Sequence, residues 1–121
     1  MARKKILVAD DSEFNRDLVI QLLDDEYDIV IAVNGAQAFT TTKQERPDLI
    51  LMDLGMPVVD GWEATRKIKA DRDLRRIPVI AVTSHAMLGD EIQARQAGCD
   101  DYISKPIDEN ELLQKIKDFL G

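Results

Sequence analysis

Five short runs of nearly continuous Val, Ile and Leu constrain the fold of this sequence more than any other feature. They are Lys5-Ile6-Leu7-Val8-Ala9, Asp28-Ile29-Val30-Ile31-Ala32, Asp48-Leu49-Ile50-Leu51-Met52, Pro78-Val79-Ile80-Ala81-Val82 and Asp101-Tyr102-Ile103-Ser104. A strand with one wet face alternates apolar and polar residues, whereas apolar residues at consecutive positions mark strands buried on both faces of a parallel sheet. Parallel neighbours cannot be joined by tight turns and need crossovers, usually helices. The intervening stretches supply them. Phe14, Leu18, Val19, Leu22 and Leu23 form one apolar stripe at helical spacing, and Leu112, Leu113, Ile116, Phe119 and Leu120 form another. Ser12 and Asp108 are placed to cap these two helices. The stretch Gly89 to Gly98 offers only small or sparse apolar residues, Ile92, Ala94 and Ala97, so the fourth helix is expected to pack shallowly. Strand then helix, five times over, predicts an α/β layer fold with right-handed crossovers. At 121 residues the chain has the size of one domain, expected to span 1–121 with no output domain.

Open α/β sheets bind ligands beyond the carboxyl ends of their strands. On these assignments strand one is followed by Asp10-Asp11, strand three by Asp53, strand four by Thr83-Ser84 and strand five by Lys105-Pro106. Any one of these is ordinary turn or capping chemistry. Together they bring carboxylates, hydroxyls and an ammonium to one rim. Clustered carboxylates repel, which raises a pKa or recruits a cation. All-oxygen ligands point to a hard divalent ion, and few protein ligands point to Mg²⁺ rather than Ca²⁺. Half-hydrated Mg²⁺ beside a lysine and a hydroxyl suits phosphoryl chemistry, with a carboxylate as nucleophile.

Asp10-Asp11, Asp53-Leu54-Gly55-Met56-Pro57, Asp60-Gly61, Thr83 and Lys105-Pro106 together resemble the receiver domain of two-component response regulators, over Lys5 to Leu120. The resemblance implies a flavodoxin-like (CheY-like) doubly wound parallel sheet of five strands in the order 2-1-3-4-5, with five helices. It implies that Asp53 is the phosphoacceptor, taking a phosphoryl group from a phosphohistidine. Asp11 and Asp53 resemble direct Mg²⁺ ligands, Asp10 a ligand through water, and Gly55 a ligand through its backbone carbonyl. Lys105 resembles the cation that pairs with phosphoaspartate and precedes a cis proline. Thr83 and Tyr102 match the hydroxyl and aromatic of the family's switch, which alters the surface of the fourth helix, strand five and fifth helix. Two departures stand out: Gly55 leaves one flank of the site open where the family often has a larger side chain, and His85 sits where the family tunes hydrolytic water.

The chain carries 16 basic and 23 acidic residues, a net charge of −7, and residues 1–60 hold 6 basic against 12 acidic. Such a surface argues against direct nucleic-acid binding. The lone Cys99 excludes an internal disulfide, and the apolar run after Lys5 is too short for a signal peptide or membrane span, so a cytoplasmic location is expected. Arg72, Arg75 and Arg76 read as a solvated loop. The expected partners are a histidine kinase or histidine phosphotransfer protein and a downstream protein target, with the chain a monomer that could dimerise on phosphorylation and no enzyme beyond its own phosphorylation and slow dephosphorylation. One rival is a haloacid-dehalogenase-like phosphatase, which would need a second Asp two residues after the nucleophile, where this chain has Gly55. Another is a receiver-like module that no longer accepts phosphate. A flavin carrier of the same fold is disfavoured by the acidic first loop, which lacks a phosphate cradle.

Overall fold

Strands β1 (Lys5–Ala9), β2 (Asp28–Ala32), β3 (Leu49–Asp53), β4 (Val79–Thr83) and β5 (Asp101–Ser104) lie parallel in one sheet, in the order β2-β1-β3-β4-β5. The computed structural model describes residues 3–56, 60–83, 92 and 95–121. The central strands β3 and β4 are buried at every position, whereas the edge strands β2 and β5 are only partly covered. The central strands show the burial that the continuous apolar runs demand; β2 departs from it, with Ile31 45% exposed, because it lies at the edge of the sheet.

Helices α1 (Glu13–Leu23), α2 (Gly35–Glu45) and α3 (Gly61–Ala70) and a C-terminal helix (Glu109–Leu120) flank the sheet, and Ile92 and residues 95–97, between β4 and β5, are helical as well. Strand alternation sends side chains to opposite faces and so divides the core in two. On one face Ile6, Val8, Leu49, Leu51 and Ile80 pack with Val19 and Leu23 of α1 and with Leu112 and Ile116 of the C-terminal helix. On the other, Leu7, Ile50, Met52 and Ala81 pack with Ala38 of α2 and with Ala64 and Ile68 of α3. Fully buried side chains such as Leu7, Ile50 and Ile80 each stabilise the fold by about 2 kcal/mol relative to exposure.

Helix starts follow local side-chain chemistry. Ser12, Asn34, Asp60 and Asp108 each accept a hydrogen bond from the backbone N–H three residues on, closing α1, α2, α3 and the C-terminal helix respectively. Two strands begin one residue later than the apolar runs suggest. Asp48 instead accepts the Lys5 N–H on its side chain, 2.8 Å, and Pro78 has no N–H to give a ladder. The shift makes Asp53 and Thr83 the last residues of β3 and β4 rather than the residues after them. The apolar stripe of α1 also divides: Val19 and Leu23 are buried, but Phe14 and Leu18 are 72% and 48% exposed. Phe119 likewise stays at the surface. The shallow packing expected of the fourth helix falls mostly outside the described residues; within them, Ile92 is exposed and Ala97 is buried.

The run Gly98-Cys99-Asp100-Asp101 is fixed by both helical layers. Lys69 of α3 donates to Asp100 Oδ2 (2.8 Å) and to the carbonyls of Arg75 (3.1 Å) and Ile77 (2.8 Å). Lys115 of the C-terminal helix donates to Asp101 Oδ1 at 2.8 Å. Gly98 has φ +105°, and a Cβ there would stand 2.8 Å from Lys69 Cγ, so backbone and space both require glycine. Cys99 is buried with Sγ 3.9 Å from Thr65 Oγ1, and burial pushes its thiol up to about 11. The thiolate is the reactive species, so in the native protein Cys99 is expected to react with an aromatic disulfide reagent about a hundredfold more slowly than in urea-unfolded chain. Equal rates in the two states would show the thiol to be accessible.

Candidate functional site

The carboxyl ends of β1, β3 and β4 stand side by side, and the polar residues that follow from this are Asp10, Asp11, Asp53, Thr83 and Lys105. Asp10 leaves β1 as its N–H donates to the Ala32 carbonyl, 3.1 Å. Its Oδ1 accepts the Ser12 N–H at 2.9 Å, and its carbonyl accepts the Arg16 guanidinium at 2.9 Å. The same turn that caps α1 therefore also aims the Asp10 carboxylate. Asp53 ends β3 opposite Val82, and its Oδ1 accepts the Gly55 N–H at 3.1 Å.

Carboxylate oxygens of Asp10, Asp11 and Asp53 lie within 4.8 Å of one another; Asp10 and Asp53 are buried and Asp11 is exposed. Lys105 Nζ faces two of them, 3.4 Å from Asp10 Oδ2 and 3.6 Å from Asp53 Oδ2. Both separations are long for a charge-assisted hydrogen bond. One ammonium is thus shared between two carboxylates and fully satisfies neither. Burial raises the Asp53 pKa, the Gly55 N–H opposes it, Asp10 raises it, Lys105 opposes and Asp11 raises it, with a net upward shift. The donor set is all oxygen, two of the three carboxylates are withdrawn from water, and negative charge exceeds positive. These residues fit a hard divalent cation such as Mg²⁺.

Backbone bonds fix the rest of the rim. The Lys105 N–H donates to the Thr83 carbonyl at 2.7 Å, tying the lysine to the end of β4, and the Lys105–Pro106 bond is cis. Thr83 is buried. Tyr102 pairs in register with Ala81 and packs in the core beneath α3, and alternation places Thr83 on that same face, two residues beyond Ala81. Among the described residues, a Cβ added at Gly55 would meet Asp53 Oδ1 alone, at an ordinary 3.8 Å, so on their side the flank that Gly55 was expected to leave open has room for a side chain. His85, with Ser84 and Pro57, lies outside the described residues.

Two contributors were not singled out from the sequence. Arg16 clamps the Asp10 carbonyl from six residues away, and nothing in its local sequence sets it apart from other helix arginines. Gly61 was noted only as a companion of Asp60. A Cβ there would stand 2.3 Å from the Asp53 carbonyl oxygen and 2.7 Å from Leu54 Cα, so α3 starts pressed against the backbone that carries the Asp53 carboxylate. A glycine directly after a capping aspartate was the available signal. Beside the acidic cluster runs an apolar groove of about 460 Å³ lined by Phe14, Leu18, Leu22, Lys105, Pro106 and Ile107. Among the described residues no helix is long and apolar enough to cross a membrane.

Known proteins resemble this chain in sequence and fold. The polar-differentiation response regulator DivK of Brucella anthropi is 44% identical over 119 residues, covering 98% of this chain and 97% of the relative. The receiver domain of the sensor histidine kinase PA1611 from Pseudomonas aeruginosa, solved with a magnesium ion coordinated in its active-site cleft, superposes with a TM-score of 0.90 at 36% identity, over 98% of each chain. The chemotaxis protein CheY4 of Vibrio cholerae gives a TM-score of 0.92 at 26% identity, over 98% of this chain and all of the other. The sequence profile of the response regulator receiver domain matches residues 6–117, and with that match the chain belongs to the receiver domain family of two-component signalling.

Proposed function

We propose that Asp53 accepts a phosphoryl group from the phosphohistidine of a histidine kinase or histidine phosphotransfer protein. The observation that carries this reading is the shared ammonium: Lys105 Nζ lies within 3.6 Å of Asp53 and 3.4 Å of Asp10, in a cluster whose negative charge it only partly offsets. Asp53 Oδ attacks phosphorus, the new O–P bond forms as the donor's N–P bond breaks, and the imidazole leaves with the N–P electron pair. Asp10, Asp11, Asp53 and the Gly55 carbonyl are the residues that would hold Mg²⁺. That ion, when bound, offsets the repulsion between phosphoryl oxygens and carboxylates.

The added group gives Lys105 and the Thr83 hydroxyl a dianionic acceptor that the free carboxylate lacks. That differential contact is what biases a two-state equilibrium. Thr83 and Tyr102 share one sheet face, so movement of the hydroxyl is passed to the aromatic ring and from there to the surface of the fourth helix, β5 and the C-terminal helix, where a downstream protein binds. The apolar groove of Phe14, Leu18 and Ile107 opens beside the carboxylates and supplies a seat for the phosphodonor protein.

The test is to incubate the protein with Mg²⁺ and acetyl phosphate and weigh it intact. A phosphoryl adduct is expected in wild type and none in Asp53→Asn. No adduct in wild type, or an undiminished adduct in the variant, would overturn the assignment.

A further inference from the structure

Residues 66–76 hold six basic side chains and two acidic ones in a chain whose net charge is −7. Lys69 is the half-buried exception, consumed by Asp100 and two carbonyls. The other five, Arg66, Lys67, Arg72, Arg75 and Arg76, are exposed, and none forms an ion pair with a described residue. Close like charges repel, so leaving them without internal partners works against folding.

The loop that carries the three last arginines is firmly anchored. Leu74 is buried at its centre, Asp71 accepts the Asp73 N–H on its side chain at 2.9 Å, and the carbonyls of Arg75 and Ile77 are both held by Lys69. With the backbone fixed from inside, Arg72, Arg75 and Arg76 are presented outward without a loop to order on binding. The patch lies at the amino end of β4, across the sheet from Asp53, so it is reachable whatever the state of the phosphoryl site.

We propose that the end of α3 and the loop leading to β4 form a docking surface for an acidic, Asp/Glu-rich segment of a protein partner. Guanidinium forks match carboxylates two bonds at a time, which suits a short acidic peptide. A nucleic acid presents the same sign of charge along a longer track and would run onto the acidic residues at the start of α3, Asp60 and Glu63.

The test uses the full chain, unphosphorylated and free of magnesium, so its outcome is independent of the phosphoacceptor assignment. A fluorescent deca-glutamate peptide is titrated by anisotropy, with a deoxythymidine decamer as the alternative polyanion, and contacts are mapped by amide chemical shifts. The peptide is expected to shift amides of 66–76 and not those around Asp53. Loss of three ion pairs in Arg72→Gln/Arg75→Gln/Arg76→Gln is expected to weaken it about tenfold. Arg66→Gln/Lys67→Gln, which leaves the loop untouched, is expected to weaken it by a smaller factor. Undetectable peptide binding, affinity unchanged in both variants, or a decamer that binds as tightly as the peptide would overturn the proposal.

Discussion

Replacing Gly61 by alanine is expected to lower the melting temperature by roughly 8 °C and to slow formation of the Asp53 adduct. The added methyl would stand 2.3 Å from the Asp53 carbonyl oxygen, 2.7 Å from Leu54 Cα and 2.9 Å from the Asp53 carbonyl carbon. All three are backbone atoms, so no side-chain rotation relieves the clash. Either α3 moves away from the sheet or the peptide carrying Asp53 moves. Overpacking of this kind costs about 2 kcal/mol, and in a chain of this size each kcal/mol shifts the melting temperature by about 4 °C. Gly55→Ala is the natural control, since among the described residues its methyl would meet Asp53 Oδ1 alone, at an ordinary 3.8 Å. Thermal denaturation followed by circular dichroism and the rate of adduct formation read the two effects. A Gly61→Ala protein that melts with wild type would mean that α3 has slack against β3.

Asp53→Asn is expected to stabilise the metal-free protein at neutral pH while removing most of its response to Mg²⁺. Burial is the largest cause of the raised Asp53 pKa, with the carboxylates of Asp10 and Asp11 adding to it. A carboxyl whose folded pKa lies above its unfolded value favours the native state while protonated. That advantage is lost as pH rises from the ordinary carboxyl range through the folded pKa. At pH 7 the ionised Asp53 is therefore a net cost, and the amide, of the same shape, relieves it. Functional-site substitutions of this kind gain about 1 kcal/mol, and the gain should shrink to nothing below about pH 4, where wild type protonates as well. Mg²⁺ at a hundredfold excess over its dissociation constant would add about 2.7 kcal/mol to wild type and far less to the variant. Equal stabilisation of both proteins by Mg²⁺, or a variant less stable than wild type at pH 7 without metal, would contradict the charge arrangement.

Most of the fold was legible because it rests on local patterns with few alternatives. Consecutive Val, Ile and Leu meant strands buried on both faces, and β3 and β4 are buried throughout. Ser12 and Asp108 cap where expected, since Asx and serine capping depends only on the next three residues. Asp10, Asp11 and Asp53 come together because parallel strands place their carboxyl ends on one rim. What escaped notice depends on distance in space. Phe14 and Leu18 have the spacing of core residues, yet they line the open groove beside Lys105, Pro106 and Ile107 and stay exposed. The closeness of Gly61 to Asp53 is set by how α3 meets β3, at which the glycine after the capping Asp60 hints without naming the partner. That Lys69 spends its ammonium on Asp100, 31 residues away, while the arginines at 72, 75 and 76 form no ion pair with a described residue, is likewise set by the fold.

The parallel sheet also dictates when the site can exist. Asp10 and the Lys105 that faces it are 95 residues apart in the chain, with Asp53 and Thr83 between them. No two neighbouring segments contain enough of the site to work alone, and β5 must dock on β4 before Lys105 reaches the carboxylates. During synthesis the pocket is therefore completed only after the whole segment from Asp10 to Lys105 has left the ribosome and found its register, and pairings of such long range form slowly. A nascent or misfolded copy has no assembled cluster, so under the proposed function phosphorylation of Asp53 would certify finished folding.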